Sequence, residues 1–445
     1  MATEISQPAA GNKKMHRAWA MYDWANSAYN LVITSTIFPI YYLSVTKGGD
    51  GKVELFGHRF VNSSLLSYSI AFAYLVIACI SPVLSSIADY KGNKKLFMRM
   101  FCYLGSVSCA GLYFFSSDTV GLGIACSTIA AIGYCGSIVF YNAYLPEIAT
   151  ENEKDRVSAQ GFAYGYIGSV LLQLLCFVLI FKHGSFGWLG ITDEGSASRM
   201  SFLLVGIWWF LFAHIPLARL PKGKPLEQHR EHSLITNGFH ELNKVLGQLK
   251  KLPVLRTYLG AFLFYSMGVQ TVMLAAAQFG EKELNLDSTQ LITTILIIQL
   301  VAIGGAYLMA RLSAVFGNLR VLFGVVLFWI GICIFAYFVR SAMQFYLVAT
   351  LVGIVMGGIQ SLSRSTYAKL MPETRDTASF FSFYDVTEKI AIVIGMFSFG
   401  FIEELTGSMR NGITALIGFF VIGLCILYIA IRKAGRHPVA AVAAQ

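Results

Sequence analysis

The stretch 360–389, QSLSRSTYAKLMPETRDTASFFSFYDVTEK, carries charged side chains within segments that are otherwise apolar. Arg364 stands in the first segment, and Asp385, Glu388 and Lys389 stand in the second. A charge near the centre of a bilayer costs about 2.5 kcal/mol or more, so such residues usually face a bundle interior or a wet cavity. The stretch therefore indicates a functional pathway inside a membrane protein.

Both flanks of Pro372 show helical periodicity, with a short turn at the proline. Four side chains of the first flank fall at i, i+3, i+4 and i+7: Gln360, Ser363, Arg364 and Tyr367. The second flank has a comparable face: Phe381, Asp385, Glu388 and Lys389. Residues at such spacings share one face of a helix. Two polar faces joined by a tight turn predict the walls of a pathway.

The composition excludes an ordinary soluble domain. Of 445 residues, 56% are hydrophobic and 13% are charged, and the mean hydropathy is +0.62. Soluble chains carry about 25% charged residues, so the bilayer must be the solvent for most of this chain. The net charge of +10 does not indicate a nucleic-acid partner, because lysine and arginine accumulate on cytoplasmic loops of membrane proteins. The eight cysteines form no CxxC pair, so we expect no disulfide, metal site or cofactor.

Twelve apolar runs are long enough to cross a bilayer. They lie near 17–45, 63–88, 96–115, 120–145, 158–181, 200–217, 254–279, 289–312, 321–338, 345–370, 377–402 and 412–431. The predicted fold class is an all-α membrane protein with twelve transmembrane helices in two six-helix halves.

The break between the sixth and seventh runs is basic and partly amphipathic (HELNKVLGQLKKL), as expected of an interfacial linker helix. We therefore divide the chain into five parts. These are an N-terminal tail (1–16), an N-terminal half (17–217), a linker (218–253), a C-terminal half (254–432) and a C-terminal tail (433–445).

The basic residues predict the orientation. With both tails and the linker cytoplasmic, 24 of the 34 lysines and arginines fall on the cytoplasmic side, 8 fall outside, and Arg364 and Lys389 lie within the membrane. This asymmetry follows the positive-inside rule and predicts cytoplasmic termini.

Two motifs recur at nearly the same offset. The segment 92–95 (GNKK) returns as 317–320 (GNLR), and 144–147 (YLPE) returns as 370–373 (LMPE). The offsets of 225 and 226 residues keep register across a whole half. A parallel duplication of six helices is the repeat expected of major facilitator transporters.

The residues that carry a family resemblance can now be named. The segment 85–95, SSIADYKGNKK, resembles the loop signature of the major facilitator superfamily, with Ser85 in place of the usual leading glycine. The segments 22–29 (YDWANSAY), 363–365 (SRS) and 380–389 are similar to the vacuole-effluxer-like family. That family includes the fungal vacuolar amino-acid effluxer of autophagy and bacterial members. The resemblance implies that helices 1, 4, 7 and 10 line a central cavity, flanked by helices 2, 5, 8 and 11.

Polar residues on those helices are the candidate substrate-binding residues. They are Asp23, Asn26 and Asn30 in span 1, Tyr141 in span 4, Tyr265 and Gln270 in span 7, Gln360 and Arg364 in span 10, and Tyr384 and Lys389 in span 11. An aromatic stripe is more often packing than a binding site. Hydrogen-bonding capacity repeated on several cavity helices is the stronger signal.

The charges within the spans sum to −1, and a buried negative surplus tends to take up a proton or hold a cation. The candidate coupling residues are Asp23, Asp385 and Glu388. Asp385 and Lys389 stand at i, i+4, so a structural pair is an alternative. Asp23 has no basic partner on its own helix, and Arg364 can supply one. That pair either binds a zwitterionic substrate or closes a gate.

Four charged residues at cytoplasmic helix ends are assigned to gating or helix packing: Asp89, Lys94, Lys95 and Glu147. The chain contains neither HExxH nor a nucleotide-binding GxxxxGK[ST] loop, so the sequence does not support an enzyme or ATP-driven transport.

The sequence predicts a secondary active transporter that moves a small polar solute by alternating access, with an amino acid or peptide favoured and proton coupling expected. The alternatives are a neutral solute such as a sugar or nucleoside, or a membrane sensor of the same fold. The expected partners are the solute, a proton or other coupling ion, and the lipid of a bacterial inner membrane. Nucleic acid is not among them, and a monomer is expected.

Overall fold

The computed structural model describes residues 12–47, 52–55, 57–223 and 234–436. The N-terminal half contains eight α-helices: α1 (Lys13–Ala28), α2 (Ile37–Val45), α3 (Asn62–Tyr90), α4 (Lys94–Gly111), α5 (Val120–Ala143), α6 (Leu145–Ile148), α7 (Lys154–Phe181) and α8 (Glu194–Arg219). The linker supplies α9 (Leu234–Lys251). The C-terminal half contains α10 (Pro253–Leu284), α11 (Ser288–Phe316), α12 (Asn318–Phe338), α13 (Ala342–Leu370), α14 (Thr377–Thr406) and α15 (Met409–Arg436).

Shorter elements complete the N-terminal half. A π-helical segment, Tyr29–Ser35, joins α1 to α2 within the first span. An antiparallel hairpin of β1 (Lys52–Leu55) and β2 (His58–Val61) follows, with Lys52 opposite Val61. Three 3₁₀ segments lie at Leu112–Phe114, Ser117–Thr119 and His183–Leu189. The sequence analysis predicted neither the π-helical segment nor the hairpin.

Eleven of the described helical stretches are long and apolar enough to cross a membrane. Helix α14 has 30 residues, which is sufficient length. It is not among the eleven because it is less apolar. Asp385, Glu388 and Lys389 lie in its first half, and two glutamates lie near its end. The predicted spans lie within a few residues of these helices at most ends, and the segment Leu234–Lys251 between the sixth and seventh spans is also helical. The predictions for 1–11, 224–233 and 437–445 lie outside the described residues.

Helix ends follow local sequence chemistry. The side chains of Asn12, Asp193 and Asp287 each accept a hydrogen bond from a backbone N–H in the first turn of the helix that follows. Gly407, with a φ of 71°, ends α14 in the left-handed conformation that glycine adopts without a steric penalty. Small residues also let membrane helices approach closely, and a Cβ at Gly357 of α13 would overlap the carbonyl oxygen of Ala302 in α11.

The two halves meet along two sets of helices. Helix α3 packs against α14, and α7 packs against α11 and α13. The end of the bundle at which α8 stops and α10 starts is called the linker end below. There α9 packs against α3, and Lys244 donates a hydrogen bond to Asp376 just before α14 at 3.2 Å. This packing leaves a cavity between the halves, which is the candidate site.

Candidate functional site

The cavity lies between the two halves and has a volume of about 170 Å³. Helices of both halves contribute polar and aromatic side chains to it. Its polar and charged lining residues outside the tyrosines are Asp23, Ser27, Asn30, Asn142, Ser169, Ser266, Gln270, Gln299, Gln360, Ser363, Arg364, Glu388 and Lys389. Five tyrosines, Tyr74, Tyr134, Tyr166, Tyr265 and Tyr384, also line it. Concave sites with a few converging polar groups among aromatic walls are typical of small-molecule sites.

An ion pair between the halves forms the floor of the cavity. Arg364 Nη1 of α13 lies 3.2 Å from Asp23 Oδ2 of α1, and Nη2 of the same guanidinium lies 3.3 Å from that oxygen. The Tyr141 hydroxyl donates a third hydrogen bond to Asp23 Oδ2 at 2.8 Å. Both charged side chains are at least nine-tenths buried. A buried pair of this kind is costly to break, because either partner alone would be an uncompensated charge.

Every N–H of the Arg364 guanidinium has an acceptor in this structure. Besides its two bonds to Asp23, the group donates to Asn142 Oδ1 at 3.2 Å, to Ser158 Oγ at 3.0 Å and to Ser158 O at 2.9 Å. A guanidinium has five N–H donors, so none remains for a substrate carboxylate. In this conformation, the geometry of the Asp23–Arg364 pair is that of a closed contact between the halves.

Aromatic rings surround the guanidinium. Its Cζ lies 4.2 Å from the ring centroid of Phe162, 4.7 Å from that of Trp19 and 5.5 Å from that of Tyr141. Trp19 and Tyr141 stack on each other with centroids 4.4 Å apart. Aromatic faces attract cations and exclude water, so the rings strengthen the pair and seal the floor.

Gly161 of α7 is required for this close approach. A Cβ at that position would lie 2.6 Å from Asp23 Oδ2 and 2.8 Å from Arg364 Nη2. Real Cβ atoms do not come so close to other heavy atoms, so any larger residue would push the ion pair apart. Sequence reasoning missed Gly161, because a helical glycine in a membrane protein has many ordinary roles.

A second charged group lies in α14. Lys389 Nζ is 3.0 Å from Asp385 Oδ1 and 3.3 Å from Glu388 Oε2, so one cation serves two carboxylates. Gln270 of α10 donates to Glu388 Oε1 at 2.9 Å. The ring of Tyr74 from the other half lies 5.7 Å from Lys389 Nζ. Both carboxylate oxygens of Asp385 are buried and lack a hydrogen bond of good geometry, although Lys389 lies close to one of them.

Tyrosine hydroxyls tie other cavity residues into networks. Tyr166 of α7 donates to Gln360 Oε1 of α13 at 2.6 Å, which is another contact between the halves. The Tyr265 hydroxyl lies 2.7 Å from Ser363 Oγ and 3.1 Å from the Tyr258 hydroxyl. The hydrogen bonds of Tyr265 are therefore made within its own half, whereas that of Gln360 joins the two halves.

The π-helical segment gives the first span its shape beside the cavity. Asn30 in this segment lines the cavity and is exposed. Just after the segment, the Thr36 hydroxyl oxygen lies 2.7 Å from Leu31 O and 2.9 Å from Gln173 Oε1, within hydrogen-bond distance of both. Side chains that replace lost backbone bonds are one way to stabilise an irregular turn, and π-segments often occur at functional sites.

The predicted gating residues lie at the linker end. Asp89 at the end of α3 accepts hydrogen bonds from the backbone N–H groups of Ala378 (3.2 Å) and Ser379 (2.7 Å), in the first turn of α14. Lys94 contacts Glu147 and donates to Thr377 Oγ1 at 2.7 Å. The carboxylate of Asp89 therefore lies against the positive end of a helix of the other half.

Lys95 takes no part in the contacts described for that cluster. A comparable cluster, which the sequence analysis did not single out, surrounds Asp155 at the start of α7. Its carboxylate accepts from Ser313 Oγ at 2.8 Å, from Asn318 Nδ2 at 2.6 Å and from Lys369 Nζ at 2.6 Å, all in the other half. Two carboxylates of the N-terminal half thus hold the C-terminal half at the linker end.

The structure places the predicted substrate-binding residues in two groups. Eight line the cavity: Asp23, Asn30, Tyr265, Gln270, Gln360, Arg364, Tyr384 and Lys389. Asn26 and Tyr141 are buried beside it and are not part of the lining. Asn26 lies off the cavity face, because Asp23, Ser27 and Asn30 follow the i, i+4, i+7 stripe of α1. Of the coupling candidates, Asp23 and Glu388 line the cavity, whereas Asp385 is buried and is not part of the lining.

The sequence analysis also missed Gln299 of α11, which lines the cavity and has a buried, unpartnered side-chain oxygen. An isolated glutamine in an apolar span is the signal that could have identified it. Within the described ranges, no group of three or more histidine, cysteine, aspartate or glutamate side chains is placed to hold a metal ion.

Comparison with known proteins gives consistent matches. A family model described as "Vacuole effluxer Atg22 like" matches residues 11–439. An uncharacterized MFS-type transporter of Bacillus subtilis (strain 168), YxiO, is 32% identical over 421 residues, covering 93% of this chain and 94% of that protein. Autophagy-related protein 22-1 of Penicillium rubens is 22% identical over 495 residues, covering 92% of this chain and 82% of that protein.

Solved structures resemble the fold along almost its whole length. The fucose:proton symporter FucP of E. coli has a TM-score of 0.68 and 15% identity, covering 94% of this chain and 97% of that chain. The human organic anion transporter MFSD10 has a TM-score of 0.71 and 12% identity, covering 94% of this chain and all (100%) of that chain. At such identities the likeness concerns the fold alone.

Proposed function

The chain belongs to the family of vacuole effluxers like Atg22, within the major facilitator superfamily, and on that premise we propose that it moves a small polar solute through the central cavity by alternating access. The observation that carries the proposal is the Asp23–Arg364 pair at the floor of a cavity lined by both halves. A contact that is buried yet made between two bodies can be opened by rocking one body against the other.

The conformation fits one end of such a cycle. The contacts of Asp89, Asp155 and Arg364 between the halves run from the cavity floor to the linker end. Asn30 and the half-buried Gln270 lie on the other side of that floor. With the linker cytoplasmic, as the basic residues predict, the conformation is outward-facing. We also propose that the chain has twelve spans, of which α14 is the eleventh. Both termini would then be cytoplasmic, and the membrane would be a bacterial inner membrane.

Coupling to a proton is part of the proposal. Asp385, Glu388 and Lys389 together carry a net negative charge, whereas Asp23 and Arg364 neutralise each other. A buried surplus of one carboxylate favours proton or cation uptake. The α14 group is therefore the preferred coupling site, and Asp23 is the alternative for a state in which the floor has opened.

Among solutes, an amino acid is the first choice, since the cavity carries both acidic and basic groups, which suit a zwitterion. A neutral hydroxylated solute is the second choice. The occupied donors of Arg364 favour it, because they leave no fork for a substrate carboxylate while the amides and tyrosine hydroxyls remain as partners.

A solute screen followed by exchange tests the proposal. Thermal stability of the purified protein is measured with amino acids, dipeptides, sugars and nucleosides, and each stabilising solute is then used for counterflow in proteoliposomes. We expect one class to stabilise and to exchange. Met273→Trp should fill the cavity and stop exchange, whereas Met343→Trp, on an exposed side chain of α13, should not. If no stabilising solute exchanges, or if Met273→Trp exchanges normally, the proposed transport through this cavity is wrong.

A further inference from the structure

Glu388 is the most accessible of the four charged residues that line the cavity and of Asp385, which pairs with one of them. Its side chain is 24% exposed, compared with 10% for Asp23, 7% for Lys389, 4% for Arg364 and 2% for Asp385. A solute entering the cavity therefore meets a carboxylate before it meets a cation. On the floor of the cavity, Asp23 and Arg364 neutralise each other.

Lys389 has a second acceptor available if it leaves Glu388. It is already closer to Asp385 Oδ1 (3.0 Å) than to Glu388 Oε2 (3.3 Å). Neither oxygen of Asp385 has a hydrogen bond of good geometry, and both are buried. A small rotation of the lysine would therefore satisfy a buried carboxylate that is poorly satisfied at present.

The surroundings of Glu388 suit a cation more than an anion. Two carboxylates share one lysine there, so the group has room for one further positive charge. Tyr265 and Tyr384 of the same half and Tyr74 of the other half also line the cavity. Phe262 stacks on Tyr384 with centroids 4.3 Å apart. Aromatic rings that line the same cavity as a carboxylate can also attract an ammonium group through their faces.

We propose that Glu388 is the subsite for a substrate ammonium group, which displaces Lys389 towards Asp385 while Gln270 orients the Glu388 carboxylate. The inference rests on the proposed transport function and defines its substrate class as amines or amino-acid derivatives with a free ammonium group. In this arrangement the ammonium group binds Glu388 of the C-terminal half and not Asp23 of the N-terminal half. Lys389 remains close enough to Glu388 to receive a carboxylate or carbonyl of the same solute.

A pair of matched probes isolates the ammonium group. Leucinamide carries it, and 4-methylpentanamide is the same molecule without it. Binding to the full-length purified protein is measured by titration calorimetry. We expect leucinamide to bind at least about tenfold more tightly than 4-methylpentanamide. A tenfold difference corresponds to about 1.4 kcal/mol, which a hydrogen bond to a charged group can supply.

Substitutions test whether the preference for leucinamide over 4-methylpentanamide depends on Glu388. Glu388→Gln should remove it, while Glu404→Gln, the same change at an exposed position of α14, should keep it. Asp385→Asn should weaken leucinamide binding, because Lys389 then stays on Glu388. Equal binding of the two probes, or an unchanged preference in Glu388→Gln, would overturn the subsite. If amines fail to bind while a neutral solute exchanges in proteoliposomes, the subsite is wrong and the transport function stands. If nothing binds or exchanges, both fail.

Discussion

Asp23 on α1 and Arg364 on α13 are 341 residues apart in sequence and form a buried ion pair with an N–O distance of 3.2 Å. The pair joins the two halves of the bundle at the floor of the cavity. Because the arginine also bonds Asn142 and Ser158 of the N-terminal half, it is anchored to that half by every donor it has. Opening the linker end requires these bonds to break together.

The substitution Arg364→Lys distinguishes between two roles of Arg364, as part of a gate or as a binding site for a substrate carboxylate. A lysine keeps the charge but lacks the planar fork, so it cannot bond Asp23, Asn142 and Ser158 at once. For a gate, we expect solute affinity to change by less than about threefold while the exchange rate changes, since an ion pair of lower stability alters the balance of conformations. Arg311→Lys, on an exposed residue of α11, is the control. A large loss of amino-acid affinity at unchanged turnover would instead make Arg364 a carboxylate site.

Gly161→Ala should push the floor open without removing any charge. Its Cβ would overlap both members of the ion pair, so the closed linker end should lose stability. Double electron–electron resonance between spin labels at Lys91→Cys and Arg320→Cys, exposed positions of opposite halves at the linker end, measures the opening. We expect a larger population at long distances in Gly161→Ala. Gly304→Ala, where a Cβ meets no other atom within 4 Å, should leave the distances unchanged. Identical distributions in both variants would show that Gly161 does not control the closure.

Coupling is tested by separating accumulation from exchange. Neutralising a proton-carrying carboxylate should abolish gradient-driven accumulation, whereas counterflow needs no net proton movement. We expect Asp385→Asn to lose accumulation and to keep counterflow, with a lower apparent affinity for amines because Lys389 then stays on Glu388. Glu388→Gln should lose accumulation and weaken exchange of amines, because the same carboxylate binds the solute. Glu404→Gln is the control for both. If Asp385→Asn, Glu388→Gln and Asp23→Asn all accumulate solute normally, the coupling site lies elsewhere.

The orientation is tested with single cysteines in a background from which the eight native cysteines are removed. Lys52→Cys, at the start of β1, should react with a membrane-impermeant maleimide added from outside the cell. Lys224→Cys in the linker should react only after the membrane is permeabilised. Both expectations follow from the distribution of lysine and arginine. The reverse pattern would place the linker outside and make the conformation inward-facing.

Much of this fold could be predicted because its determinants are local. Apolar runs, the basic linker and the 225-residue repeat define the helices and the two halves without any contact information. The pairing of Asp23 with Arg364 was also accessible, since a buried aspartate without a partner on its helix needs one elsewhere. Whether that pair binds or closes was not accessible, because it depends on Asn142 and Ser158. These two residues look ordinary in the sequence.

Other features depend on packing that no local pattern reveals. Asn26 is a polar residue of the first span close to Asp23 and Asn30, yet the cavity face of α1 and of the turn after it passes through Asp23, Ser27 and Asn30. Asp155 looked like an ordinary acid near a helix end. Its partner Asn318 belongs to the repeated GNLR motif, so the repeat was a signal that could have found this cluster. The π-helical turn at Tyr29–Ser35 has no comparable signal.

The proposed mechanism requires a cavity that is open away from the linker and closed towards it by Asp23 and Arg364. The sidedness of labelling at Asn30→Cys, in the cysteine-free background, tests this directly. In oriented proteoliposomes, an impermeant maleimide should modify this cysteine from the face opposite the linker and not from the linker side. With Asp23→Asn added, modification from the linker side should appear. Modification of the parent Asn30→Cys protein from the linker side alone would contradict the account.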